Sequence, residues 1–116
     1  MTFMTTRAEL ATALSSVAGV TGYTHRPMTF KAGDAWPLFQ QADRGPGSAW
    51  GATWKVQVVL GGGGDERATS DLSEDILPEL VAELNPVAFV ESPVTAVELS
   101  TSAGPLIALE LTCTSE

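Results

Sequence analysis

Few side chains in this 116-residue chain could carry chemistry, and most of those occur once. His25 is the only histidine and Cys113 the only cysteine, so a histidine base, a thiolate nucleophile and a zinc constellation each rest on one residue. Zinc sites draw on three or four Cys, His or carboxylate ligands. A serine triad through His25 finds no nucleophile-elbow sequence around any serine. Cys113 alternates with apolar neighbours in "LIALELTCTS" and reads as a small buried hydrophobe. "VVLGGGGDER" has the place of a phosphate-cradling loop, but its sixth position is Glu66 and no Gly-Lys-Ser/Thr follows. Asp65 and Glu66 would also repel a phosphate, so the segment reads as a connection.

What remains is aromatic. "GDAWPLFQQADRGPGSAWGATWKV" holds Trp36, Trp50 and Trp54, all three tryptophans. Core filling and a protein interface are both open readings, because tryptophan supplies large buried area and is enriched at protein contacts. Stacking on single strands would need a basic groove, which Lys31, Arg44 and Lys55 supply poorly. The formal net charge of −8 repels phosphate backbones and anionic membranes.

These residues need elements to hold them. With 44% hydrophobic and 17% charged residues the chain is too apolar for disorder, yet has no apolar run of about 18 residues to span a bilayer. It reads as one globular domain over 1–116. "MTFMTTRAEL" lacks a basic leader with an apolar core, and Cys113 lacks a second cysteine, which together predict cytosolic synthesis.

Thr6 and Glu9 have capping-box spacing, and Leu10, Leu14 and Val17 form a helical stripe ending near Gly19. Val20 to Pro27 predicts a strand and Met28 to Gly33 a loop. Even positions from Trp50 to Leu60 are apolar and the odd ones mostly polar, the period of a half-buried strand. A turn centred on Pro46 would pair 36 with 56, 38 with 54 and 42 with 50, so that Trp36, Trp50 and Trp54 share one face. Leu72, Ile76, Leu80 and Leu84 predict a long helix, with Leu77 and Val81 widening its stripe and the acids from Glu66 to Glu83 on a solvated face. Pro78 predicts a kink or break in it. Strands follow at Ala88–Leu99 and Leu106–Thr114. A turn near Ala103 would set Ile107, Leu109, Leu111 and Cys113 opposite Leu99, Val97, Thr95 and Pro93. The resulting order, α-β-β-β-α-β-β, is an α+β fold: a mainly antiparallel sheet of about five strands with helices on one face.

Several phrases in this order resemble a known family. "TRAELATALSSVAGVTGYTHRP", "KAGDAWPLFQQADRGPG", "WKVQVVL", "DERATSDLSEDILPELVAEL" and "PVAFVESPVTAVEL" are similar to small tail terminator proteins of long-tailed, siphovirus-type actinobacteriophages. The resemblance implies a virion protein at the head-proximal end of the tail, assembled in the host cytoplasm. There a homo-hexameric ring would cap the tube of major tail protein, end its polymerisation and meet the head-tail connector. DNA would pass through without sequence-specific binding. Such a role implies no catalysis, no cofactor and no metal. Trp36, Trp50, Trp54 and Arg44 are the interface candidates, with Trp50, nearest the turn, the one expected to stay uncovered. Another head-tail joining or minor tail protein, or a small ligand-binding domain or enzyme using His25 and the tryptophan face, are the alternatives.

Overall fold

The computed structural model describes residues 3–44, 50–62, 66–101 and 104–115. Along the chain lie α1 (Phe3–Ser15), β1 (Thr21–Gly22), β2 (Asp34–Arg44), β3 (Trp50–Gly62), α2 (Glu66–Leu84), β4 (Phe89–Thr101) and β5 (Gly104–Ser115). The fold is α+β in the expected order. The strands form one curled sheet, β1-β2-β3-β5-β4, antiparallel except where β1 runs beside β2.

Both helices cover one face, the inner one. Leu10 and Leu14 of α1, Val17 just past its end, and Ile76, Leu80 and Leu84 of α2 pack on Trp54, Val56, Val58, Leu111 and Cys113. The stripe of α1 reaches a turn further back than the capping box predicted. Thr6, four residues before Leu10, is buried on that stripe inside the helix, which starts at Phe3 rather than capping at Thr6. Gly19 lies past the helix end with φ +82°.

The helix α2 runs unbroken through Pro78, so the expected break into two pieces does not occur. Pro78 removes the amide that would bond the Glu74 carbonyl, but both residues are exposed, where water can take the freed acceptor. Buried Ile76, Leu80 and Leu84 anchor the helix on either side. The side chain of Leu72 lies outside the described residues, as do those of Glu66 and Asp71. Asp75, Glu79 and Glu83 are exposed.

Two close approaches fix α1 on the sheet. A Cβ added to Gly22 would overlap the Ala11 carbonyl oxygen and stand 2.9 Å from Leu14 Cβ, so only glycine lets helix and strand pass. The Gly22 amide donates to Ser15 Oγ at 2.9 Å, closing the corner. The predicted strand Val20–Pro27 is cut to Thr21–Gly22. The ladder stops because Pro37, next along the outer side of β2, has no amide, and the Arg7 guanidinium takes its carbonyl.

Candidate functional site

The aromatic hairpin decides which side chains meet. Near its turn, Arg44 pairs with Trp50 and Ala42 with Ala52, which centres the pairing on position 47 rather than Pro46. The turn residues themselves lie outside the described residues. Even positions still face even positions there. Between Phe39 and Gln41 the ladder shifts, because Gln40 is an extra residue on β2 with no partner opposite. Beyond that bulge Trp36 faces Gln57, Leu38 faces Lys55 and Phe39 faces Trp54. The expected common face is therefore corrected: Trp36 and Leu38 point to the outer face, Trp54 to the inner one.

Trp36 and Trp54 are both fully buried within the chain and fill cores. Trp54 lies among the helix contacts, with Phe39 edge-on at 5.4 Å between centroids and the Arg7 guanidinium 5.1 Å over its ring. The same guanidinium donates to the Thr24 carbonyl at 2.9 Å and the Pro37 carbonyl at 3.1 Å, tying α1 to the next connection and to β2. Trp36 belongs to a second, smaller core on the outer face with Val59, Leu99 and Ala108. The connection from Tyr23 to Gly33 crosses that core: Phe30 packs on Trp36 at 5.0 Å, and Arg26 stacks over both rings. The side chain of Trp50, and with it the expectation that it stays uncovered, lies outside the described residues. Arg44 is exposed at the end of β2.

The outer core exists because the second hairpin also departs from the expected pairing. Thr101 pairs with Gly104, half a residue from a turn centred on Ala103, and every partner changes parity. Ile107 faces Glu98, while Leu99 and Val97 face Leu106 and Ala108 across the outer face. The row of Ile107, Leu109, Leu111 and Cys113 does form, on the inner face. Glu91 to Thr95 is irregular, and Pro93 falls within that stretch.

Beside the outer core runs a polar ladder. The Trp36 indole N–H donates to Gln57 Oε1 at 3.1 Å, and Gln57 Nε2 donates to Glu110 Oε2 at 3.0 Å. Lys55 Nζ lies 3.8 Å from Glu110 Oε1 and donates to Thr112 Oγ1 at 2.8 Å. Four polar residues on two strands thus satisfy one another. Among the described residues no buried side-chain nitrogen or oxygen lacks a partner.

No protein-family model matches the chain, and no curated protein matches it.

The groups singled out for chemistry do not converge. His25 is exposed in the connection after β1, its Nδ1 3.2 Å from Thr24 Oγ1. Cys113 is buried on the inner face, and burial, with a smaller contribution from Glu91, pushes its thiol up to about 12. At that value almost no thiolate exists at neutral pH. Among the described residues no three His, Cys, Asp or Glu side chains gather as a metal site, and no helix is long and apolar enough to cross a membrane. Part of the four-glycine loop lies outside the described residues.

The sheet ends in two unlike edges. At one end β1 covers only Asp34 and Ala35 of β2. At the other β4, thirteen residues long, is the terminal strand. Tyr23 and Phe39 are exposed at the first end, Met28 on the connection that follows β1, and Phe89 at the second. The periodicity of β4 marked it as a strand but gave no sign that it would stand last in the sheet.

Proposed function

We propose that the chain is a structural assembly protein of the tail-terminator type. Six copies form a ring on the head-proximal end of a phage tail tube, stop its polymerisation and present a surface to the head-tail connector. One observation carries the reading: the sheet terminates in two unlike edges, β1/β2 and β4, each flanked by exposed apolar side chains. A closed ring of identical subunits needs two different, complementary patches on each copy. The order of elements in the phrases that carry the family resemblance supports the same role, and a tube cap asks no catalysis, cofactor or metal of the chain. The net charge of −8 suits a lumen that lets DNA pass by repulsion.

Mixing the purified protein with growing tail tubes tests this. Negative-stain images are expected to show sixfold rings on one tube end and tubes of arrested length. Tubes that grow on unchanged, with no density at their ends, would refute the role; a basic ring lumen would refute the account of DNA passage.

A further inference from the structure

The charge of the chain is divided unequally between its halves. Residues 1–60 hold five cations against three acids, and residues 61–116 one cation against eleven acids, so formal charges of +2 and −10 make up the −8. The fold turns this division into a spatial one. The first half builds α1, β1, β2 and β3, with α1 on β1 and β2. The second builds α2, β5 and β4, with β4 at the far end. Arg26, Lys31 and Arg44 are exposed at the β1/β2 end. Glu91 and Glu98 are exposed on β4 at the other, and Glu74, Asp75, Glu79 and Glu83 are exposed on α2, which packs on β3 and β4 beside α1.

We infer that the acidic β4 edge of one copy docks on the basic β1/β2 edge of the next. The partner is a second copy of this chain, and three relations favour it. First, the ends are opposite in charge, and a contact between unlike ends relieves the repulsion that a net −8 otherwise sets between copies. Second, the strand directions fit: β2 runs against β3, β3 against β5 and β5 against β4, so β4 meets the β2 of a copy in the same orientation antiparallel. Third, the levels fit. Phe39, Trp54, Cys113 and Val90 form one row across the inner face of the sheet, which places Phe39, exposed at one end, level with Val90 at the other. Val97 is level with Val59 through Ala108, and the Val59 carbonyl accepts the Gly33 amide, so Glu98 stands near the height of Gly33, two residues from Lys31. An apolar contact between Phe39 and Val90 on the inner face, flanked by Lys31 and Glu98, is the expected core of the interface. The contact deepens the ring reading and rests on it only for closure into six.

Charge reversal tests it on the full chain by sedimentation and native mass spectrometry at low salt. Lys31→Glu and Glu98→Lys are each expected to weaken self-association roughly five- to ten-fold, and Phe39→Ser by at least as much. The double variant Lys31→Glu/Glu98→Lys, and an equimolar mixture of the two single variants, are expected to recover it. Circular dichroism of each variant separates lost contact from lost fold. A wild-type chain that stays monomeric at its highest soluble concentration, or a double variant no better than the singles, overturns the proposal. Self-association through these ends without tube capping would leave this contact standing and remove the tail role; tube capping by a chain indifferent to the reversals would do the opposite.

Discussion

Trp36 stands directly across from Gln57 on the outer face of the sheet, its indole N–H donating to the Gln57 carbonyl oxygen at 3.1 Å. Gln57 in turn reaches Glu110, so a buried aromatic and a half-buried ion pair share one chain of hydrogen bonds.

Replacing Gln57 by leucine leaves the indole N–H buried without its acceptor and Glu110 without one of its donors. The expected loss is about 1–3 kcal/mol, the cost of an unsatisfied buried polar group. Adding Trp36→Phe should recover part of it. Urea unfolding of the two single variants and the double one measures the coupling; strictly additive losses would show the bond to be unimportant.

Gly22→Ala places a methyl group on the Ala11 carbonyl oxygen, where α1 crosses β1. A loss of about 1–3 kcal/mol is expected from the forced separation. Gly51, whose added Cβ would stand 3.2 Å from the Ser115 carbonyl oxygen, is the comparison site and should tolerate alanine better. Thermal midpoints of the two variants provide the measurement.

Pro78→Ala restores a helical amide on the exposed side of α2. Proline costs about 3 kcal/mol against alanine inside a helix, and its stiffening of the unfolded chain returns about 0.4–1 kcal/mol. A net gain of about 2 kcal/mol is therefore expected in denaturant unfolding, with the denaturant dependence unchanged.

Cys113 should resist alkylation in the folded protein and react fully in urea. Its thiol rises from an ordinary 9.0 to about 12 on folding. The folded state therefore holds the proton to higher pH, and the associated stability is whole below pH 9 and lost as pH climbs towards 12. The slope is about 1.4 kcal/mol per pH unit across that window. Cys113→Ala should flatten that slope, which unfolding curves at pH 8 to 11 would reveal.

Arg7→Ala removes the guanidinium that binds two carbonyls and lies over Trp54. A loss of about 1–2 kcal/mol and a change in tryptophan emission are expected, and Arg7→Lys should restore little, since an ammonium cannot present the planar fork.

The elements and their order follow from local patterns. The stripe of Ile76, Leu80 and Leu84 and the even row of Trp54, Val56 and Val58 both lie where periodicity put them, on the inner core. The fate of Cys113 as a buried hydrophobe was equally legible. The separation of the tryptophans was not, because Gln40 looks like any other strand residue and becomes a bulge only when β3 is laid beside it. The charge division between halves was open to reading in the residues, but its meaning as two ends of one sheet depended on β4 standing last.

Local sequence determined what each segment is and which of its residues share a side, since helix and strand periods are properties of the backbone itself. The tertiary structure decided which row faces which. A strand's side-chain period is two, so a single bulge at Gln40 or a half-residue change at the second turn exchanges the faces of every residue beyond it. That exchange put Trp36, Leu99 and Val97 into a core of their own on the far side of the sheet from Trp54.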